Sequence, residues 1–403
     1  MDAKTLKAPI ILSLIICPLL SVPLIFKELR NGRLYALNYL TFFMALLAYL
    51  WIPSGDVYRF YLEYDTIKTL SFNEVWDFAD FDCLSQYAMY FFSKTGLNFE
   101  WFRFITCIVE YSLVFSVLKD CIARNNYGSD NKTIFRLIII TFGLLRFSVF
   151  LTGARFTMSL ALMVYCINAV FYNNNKRGLL LFLLAPMCHY SLWPVYALMV
   201  LCKLVNPQFE RKIVITLCIV FLSVSAVLLI VLIDYMRFGD AMMNRLENYT
   251  TGYYAEGELE NQSFFFMLAQ IFSILAFYAF SALAFWKMKS FKHCQLYVCL
   301  FLFCILLINM NTAFNRYASL AAFSFLPYFL MNIDGYFTKK HLKYVSYLAI
   351  FVFATSVYTT KRELRMGDQI DIVKPLPVIV FHSYSDVWIN KHIQSNGNMV
   401  GND

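Results

Sequence analysis

The chain has 403 residues, of which 60% are apolar or aromatic and 15% are charged, with a net charge of +8 at pH 7. A soluble domain carries roughly 25% charged residues, so this chain has too little polar surface to cover a globule in water. The composition excludes disordered, collagen-like and coiled-coil proteins and disfavours a soluble enzyme. It indicates an all-α, polytopic integral membrane protein, in which the positive charge orients loops in the lipid bilayer rather than binding nucleic acid.

Ten apolar stretches are long enough, or nearly so, to cross a bilayer, which takes about 20 mostly apolar residues per helix. They lie at 10–26, 34–52, 102–118, 134–150, 155–171, 213–233, 263–286, 294–310, 317–333 and 342–358. No small-residue cleavage site follows the first stretch, so we expect it to be retained as a span rather than removed as a signal peptide.

The direction of the spans follows from the short connections that are rich in Lys and Arg, because such loops stay in the cytoplasm. Five connections have this character: Lys27/Arg30/Arg33, Lys119/Arg124/Lys132, Lys176/Arg177, Lys287/Lys289/Lys292 and Lys339/Lys340/Lys343. The connections 53–101 and 234–262 carry many of the acidic residues and are predicted to be outer loops. We expect a transmembrane helical domain over 1–358 and a C-terminal tail, 359–403, on the outer side.

A further apolar stretch, 179–202, raises a problem of parity. The loops on either side of it are both basic, although the stretch is too short for two full spans. A broken or re-entrant helical hairpin resolves this, and Pro186 and Pro194 flank the predicted break at His189. Irregular backbone at membrane depth is tolerated only where it is buried in protein or lines a wet cavity. We therefore predict that His189 lies at the tip of a hairpin and faces an outward cavity.

Metal and nucleotide motifs are absent from the sequence. The eleven cysteines are scattered without a CxxC pair, and the five histidines are far apart. A zinc site needs clustered ligands at short spacing, and the GxxxxGK[ST], HExxH and GxSxG patterns do not occur. The sequence therefore predicts neither a metal site nor a cofactor.

Ionisable residues within or beside membrane spans are candidates for function, because a charge in hydrocarbon is costly. Five such residues map to the outer third of the protein: Asp56, Arg146, Arg155, His189 and Arg316. Arg155 and Arg316 are expected to open their spans from the outside, where an arginine can also simply reach the interface. Arg146 could instead form a structural ion pair with Glu110. The positive-inside rule does not explain why arginines gather on the outer side, so their presence there favours a functional role.

Arginine binds phosphate through a planar, two-pronged donor that stays charged, so several arginines at one cavity suit a pyrophosphate. The outer segments also carry many aromatic side chains, which could form a membrane-interface belt or platforms for sugar rings. The candidate sugar contacts are Tyr58, Tyr61, Tyr190 and Tyr317. The stretch 72–95 mixes apolar and acidic residues and is predicted to form an amphipathic helix on the outer surface.

Four short motifs give the chain a family resemblance: SGDVYRFY, GARFTMSLAL, NNNKRG and LLLFLLAPMCHYSLW. Together, from residue 34 to about 330, they make the chain similar to the EpsG-like group of Wzy-type polysaccharide polymerases. Members of this group often carry Gln after the arginine of the second motif, whereas this chain has Phe156 there.

The resemblance implies a glycosyltransferase of the bacterial inner membrane that polymerises O-antigen or exopolysaccharide on the periplasmic face. Its donor would be a growing glycan on undecaprenyl pyrophosphate, and its acceptor one lipid-linked repeat unit. Other expected partners are a flippase and a chain-length regulator.

The chemistry of this reaction assigns roles to the candidate residues. Arg155 and Arg316, with Arg146 third, are predicted to bind the pyrophosphate whose negative charge grows in the transition state. His189 is the predicted base, because an imidazole exchanges protons near neutral pH, and Asp56 is the alternative base or orients His189. If one base activates the acceptor hydroxyl and this hydroxyl displaces the pyrophosphate directly, without a metal, the configuration at the anomeric carbon is predicted to invert.

Three other functions stay open from the sequence. An O-antigen ligase or another lipid-linked glycosyl or acyl transferase would need a similar outward site. A flippase or transporter of lipid-linked saccharide would place its charges near the midplane and often shows internal repeats, of which no convincing pair is seen. A scaffold without a site would be favoured if all the arginines serve packing.

Overall fold

The computed structural model describes residues 6–78, 83–125, 130–235, 274–308, 310–333, 336–366 and 368–394. Within these ranges every regular element is helical and no β-strand occurs, which confirms the all-α class. The helices of the first half are α1 (Lys7–Ile16), α2 (Pro18–Arg30), α3 (Ala36–Tyr49), α4 (Asp56–Thr69), α5 (Phe72–Phe78), α6 (Cys83–Ser93), α7 (Phe99–Arg124), α8 (Asn131–Leu144), α9 (Phe147–Thr152), α10 (Phe156–Ile167), α11 (Arg177–Phe182), α12 (Leu184–Cys188) and α13 (Trp193–Val205). Those of the second half are α14 (Arg211–Tyr235), α15 (Leu275–Lys287), α16 (Gln295–Leu306), α17 (Asn311–Met331), α18 (Lys339–Thr359), α19 (Lys361–Met366), α20 (Leu376–Ile379) and α21 (Asp386–His392).

The apolar helices are shorter than the sequence stretches led us to expect. By length and composition, two helices of the described chain qualify as membrane spans, α7 and α18, while seven apolar segments have 10–17 residues. The number of about ten spans therefore stays a prediction. The stretch 263–286 is described only over α15, and the predicted outer loop 234–262 lies almost wholly outside the described residues.

Two predicted spans are broken within their length. The first is divided at Cys17, whose backbone is extended, and α2 begins directly after it with Pro18, which needs no hydrogen bond on its nitrogen. The stretch 134–150 is divided after Leu144, and Arg146 adopts a left-handed φ of 41° at the start of α9. A non-glycine residue with positive φ marks a local constraint, which hydropathy along the chain cannot reveal.

The predicted outer loop 53–101 is mostly helical. It contains α4, α5 and α6 before α7 begins at Phe99, and Asn98 caps α7 by accepting from the backbone N–H of Trp101. The single amphipathic helix predicted over 72–95 is two helices, α5 and α6, which pack against each other.

The basic connections meet on one face of the protein, here called the basic face and formed by the loops around Arg33, Arg124, Lys176, Lys289 and Lys339. The Arg124 guanidinium donates to the Tyr172 carbonyl at 2.9 Å, and Lys339 pairs with Asp130 at 2.8 Å. Gly32 lies directly against Asn131, where a Cβ would come within 2.4 Å of the Asn131 side-chain oxygen.

Loops from the second half join the same face. The Arg211 backbone N–H donates to the Lys289 carbonyl at 2.9 Å, and the Tyr172 hydroxyl donates to the His293 carbonyl at 3.3 Å. The five connections predicted to be cytoplasmic are therefore linked by contacts, which places them on one side of the protein as predicted.

The predicted break in the 179–202 stretch is confirmed. Helix α12 ends at Cys188, His189 is extended with φ −152°, and a 3₁₀ turn over Tyr190–Leu192 leads into α13. At the far end of α13, Lys203 donates to the Val170 carbonyl and the Asn174 side chain, both at 3.2 Å. Because residue 174 also lies just before α11, the segment enters and leaves at the basic face, which is the geometry of a hairpin.

The C-terminal segment packs against the ends of α3 and α7 on the face opposite the basic face. The Tyr49 hydroxyl donates to the His382 carbonyl at 2.8 Å, and the Tyr384 hydroxyl donates to the Leu50 carbonyl at the same distance. The Tyr384 backbone N–H donates to the buried carboxylate of Glu100 at 3.3 Å. The tail is thus part of the folded body over the residues described.

Helix α10 lies at the centre of the fold, against α7, α12 and α17. Its first turn belongs to the opposite face and its last turn to the basic face, where Asn168 donates to Asp120 at 2.7 Å. The helix and the π-helical turn that extends it to Tyr172 have 17 residues, which span about 25 Å.

Candidate functional site

Arg155 lies immediately before the first turn of α10, on the face opposite the basic face. Its guanidinium forms an ion pair with Glu63 of α4, and the two side chains are only 12% and 16% exposed. The guanidinium carbon also lies 4.6 Å from the centre of the Phe60 ring, within the range of a cation–π contact. Arg155, the arginine predicted to bind pyrophosphate, is therefore held in place by Glu63 and Phe60, which both belong to α4.

Glu63 is not among the site residues predicted from the sequence. It accepts a hydrogen bond from the Gln86 amide at 3.0 Å, which ties α4 to α6 behind the ion pair. The spacing of Asp56, Phe60 and Glu63 places them on one side of α4, because residues four and seven apart share a helix face. This spacing is the sequence feature that could have identified Glu63. It is not distinctive, because Glu63 is one of eight acidic residues in the region 53–101.

His189 occupies the break of the hairpin next to α10. Its ring lies edge-on to Phe156 with 5.4 Å between centres, and Tyr190 stacks on it at 5.0 Å. Its Nδ1 lies 2.8 Å from the Ser191 hydroxyl oxygen and accepts from the Ser191 backbone N–H at 3.3 Å. The Ser159 hydroxyl bonds the Ala185 carbonyl at 2.7 Å and so fixes the hairpin to α10.

Helix α17 brings the second predicted phosphate ligand to the same region. The Tyr317 hydroxyl donates to the Ser191 carbonyl at 2.9 Å, which places this turn of α17 beside the hairpin tip. The helix begins at Asn311 rather than at residue 317, so Arg316 lies in its second turn. Hydropathy missed this turn because residues 311–316 are largely polar. From Arg316 to Met331 the helix rises about 22 Å toward the basic face.

The other residues of the predicted site lie around this centre. Asp56 is exposed and pairs with Arg59, and the structure gives it no hydrogen bond to His189. Tyr58 is buried in α4, while Tyr61 is half-buried and lies edge-on to Phe99. Among the described residues, the ring contacts of His189 are with Phe156 and Tyr190 and not with these two tyrosines.

Arg146 and Glu110 do not form the ion pair that the sequence left open. Glu110 is buried and accepts a hydrogen bond from the Thr157 hydroxyl at 2.6 Å. Among the described residues no carboxylate lies within 4.0 Å of the Arg146 guanidinium. Arg146 is half-buried and directly precedes α9, on the same side of the protein as Arg155.

Two further polar side chains, Arg103 and Tyr64, connect segments on this side of the protein, and neither was predicted as a site residue. Arg103 is buried and donates to the carbonyls of Trp51 at 2.7 Å and Leu151 at 3.0 Å, which joins the ends of three helices. Tyr64 donates to the Leu97 carbonyl at 2.8 Å. Burial and the nearby charge of Glu100 raise the pKa of Tyr64 to about 12, so its hydroxyl keeps its proton even in alkaline solution.

The structure thus gathers Arg155, His189 and the Arg316–Tyr317 turn from three separate segments, with α4 as an added wall. A guanidinium has five N–H donors in a planar fork, and a carboxylate can engage at most two of them in a forked pair. A sugar ring could stack on the aromatic side chains around His189. No group of three or more metal-binding side chains occurs within the ranges that the structure describes.

A comparison with models of protein families finds the EpsG family, whose model matches residues 34–367, which is most of the chain and includes α3 to α19. No curated protein and no solved structure matches the chain.

Proposed function

Because this chain belongs to the EpsG family, we propose that it is a membrane glycosyltransferase that joins lipid-pyrophosphate-linked oligosaccharide units into a polysaccharide. The family is associated with polymerases of this general kind. Undecaprenyl pyrophosphate is the proposed lipid carrier, the bacterial inner membrane the proposed location, and the periplasmic side the proposed side of the reaction. A flippase would deliver the repeat units to that side, and a chain-length regulator would set the length of the product.

The observation that carries the proposal is the position of Arg155, held by Glu63 and Phe60 beside the hairpin that bears His189. This site lies about 25 Å along α10 from the basic face. If the basic face is cytoplasmic, the site opens on the other side, where no nucleotide sugar is present. A lipid pyrophosphate donor needs none.

The proposed reaction is a single displacement at the anomeric carbon. The hydroxyl oxygen of the acceptor attacks that carbon, and the bond from the carbon to the pyrophosphate oxygen breaks. Negative charge then moves onto the lipid pyrophosphate, where Arg155 and Arg316 stabilise it. Arg146 is the third proposed ligand, and the tyrosines near His189 are proposed to contact the sugars.

The proton of the attacking hydroxyl goes to His189 in this proposal. For this role the imidazole carries its proton on Nδ1 and donates it to the Ser191 hydroxyl, 2.8 Å away, which leaves the Nε2 lone pair for the substrate. The contact in which Nδ1 accepts from the Ser191 backbone N–H at 3.3 Å belongs to the other tautomer and is lost when the ring takes up this one. Asp56 remains the alternative base, although its partner in the folded chain is Arg59.

Purified protein incubated with a lipid-linked repeat unit tests the proposal. A ladder of products that grow by one repeat unit supports a polymerase, whereas transfer to a lipid core alone would indicate a ligase. His189→Ala and Arg155→Ala are each expected to abolish the ladder while the protein still inserts into the membrane. The matched controls are His293→Ala and Arg177→Ala on the basic face. Normal chain lengths in both site variants would refute the assignment.

A further inference from the structure

A groove between α15 and α18 lies away from the proposed catalytic site. Its volume is about 470 Å³, and its walls are two helical stripes that face each other. Helix α15 contributes Ala279, Leu283 and Trp286, at spacings of four and three residues, and α18 contributes Tyr344 and Leu348 in the same manner. The groove is open to the outside of the protein, because Trp286 is 68% exposed and Tyr344 is 57% exposed.

One end of the groove is cationic and the other is apolar. Lys287 and Lys340 line the end at the basic face, while Ala279 and Leu348 lie eight residues further along their helices. Eight residues of helix correspond to about 12 Å, so the groove runs from the basic face into less than half of a hydrocarbon core of about 30 Å.

The charges at the cationic end are not neutralised within the described chain. Neither lysine forms an ion pair with a described carboxylate, and none of the nine residues that line the groove is acidic. The Lys287 ammonium lies 4.1 Å from the centre of the Trp286 ring, and the ring of His341 meets the same indole edge-on at 5.8 Å. Tryptophan and tyrosine at this depth are typical of the headgroup level of a bilayer.

We propose that this groove binds one anionic phospholipid of the surrounding bilayer. The headgroup phosphate contacts Lys287 and Lys340, and the first part of one acyl chain lies along Leu283 and Leu348. Basic pockets between helices on the cytoplasmic side bind anionic headgroups by this combination of charge and apolar area. The site is separate from Arg155 and His189, which lie toward the opposite face, so the lipid is a structural ligand and not the glycan donor.

Native mass spectrometry of the full chain, released from bilayers of equal phosphatidylglycerol and phosphatidylcholine, tests the proposal. The wild type is expected to retain one phosphatidylglycerol per chain. Each lysine near an anionic surface contributes about fivefold to binding. Lys287→Gln combined with Lys340→Gln should therefore weaken the retention of phosphatidylglycerol roughly 25-fold. Lys289→Gln combined with Lys343→Gln removes the same charge from the same face outside the groove and should leave retention unchanged.

A second variant fills the apolar end without altering charge. Leu283→Trp is expected to displace the acyl chain and lower retention, while Lys287→Arg with Lys340→Arg should preserve it. Thermal melting of each variant in phosphatidylcholine alone confirms that it is folded. Equal losses in the two glutamine pairs would reduce the effect to general attraction by the basic face and overturn the proposal. Equal retention of phosphatidylcholine, or a second copy of the chain seated on the groove, would overturn it as well.

Discussion

The ion pair between Arg155 and Glu63 gives the sharpest test of the proposed site. Replacing Glu63 with Gln keeps the shape of the side chain and its contact with Gln86 but removes the charge that holds the guanidinium. In the proposed mechanism Glu63 is a positioning residue, because a carboxylate paired with arginine is a weak base. The substitution should therefore disturb the aim of Arg155 without removing a reacting group.

The expected size of the effect follows from the burial of the pair. An exposed ion pair contributes less than about 1 kcal/mol, whereas breaking a fully buried one costs about 3–5 kcal/mol. Side chains that are 12% and 16% exposed lie between these limits, so about 2 kcal/mol is the expected scale. If that energy is lost from the transition state, kcat falls by roughly 30-fold.

The assay is the rate of ladder formation from a purified lipid-linked repeat unit at several substrate concentrations. Glu63→Gln should lower kcat more than it raises KM, since the charge on the leaving group grows only during reaction. Glu74→Gln is the matched control, because Glu74 is an exposed acid on the neighbouring α5 whose hydrogen bonds to described residues all go to Ser71. Full activity of Glu63→Gln alongside an inactive Arg155→Ala would refute the positioning role.

Three further predictions concern the stability of the fold, each measured by thermal or denaturant unfolding in detergent. Hydrogen bonds from Lys339 and Thr133 hold the pKa of Asp130 below its ordinary range, so Asp130→Asn should cost about 1 kcal/mol at neutral pH in this partly exposed pair. This stabilisation is present above the ordinary pKa of about 4 and is lost as the pH falls through the lowered pKa of the folded state, so the difference should shrink steadily below about pH 4. A difference as large at pH 2 as at pH 7 would contradict it. Gly143→Ala should destabilise by about 1–3 kcal/mol, because the new Cβ would lie 2.6 Å from a backbone oxygen of α18. Gly178→Ala should cost less, because its nearest neighbours would be side-chain carbons, a Val170 methyl at 2.7 Å and the Ala169 Cβ at 3.1 Å. Arg103→Met should cost about 2–4 kcal/mol by leaving buried carbonyls and Glu100 without their cation, and an unchanged midpoint would show that these contacts are dispensable.

The features that could be predicted from the sequence are those that depend on periodic or one-sided composition. Apolar stretches predict the helices, the distribution of Lys and Arg predicts that the basic loops share a face, and parity with two prolines predicts the break at His189. Each of these depends on the summed chemistry of many residues, so small errors in boundaries do not matter.

The features that were missed depend on single contacts between distant segments. Glu63 is one acid among eight in its region, and only the fold selects it as the partner of Arg155. The left-handed turn at Arg146 and the helical start before Arg316 are local backbone choices that hydropathy does not record. The hydrogen bonds from Arg103 to two backbone carbonyls likewise use acceptors that every residue possesses, so no pattern of side chains predicts them.

The docking of the C-terminal tail has a consequence for how the protein is made. Glu100 is buried near the start of α7, yet the N–H that it accepts from belongs to Tyr384, which is synthesised 284 residues later. Until the tail arrives, the carboxylate of a partly made chain depends on its own helix and on Arg103. The contacts of the tail with Tyr49, Leu50 and Glu100 can therefore form only when synthesis of the chain is nearly complete. A chain that ends before residue 380 keeps its candidate site residues but lacks these contacts with the ends of α3 and α7.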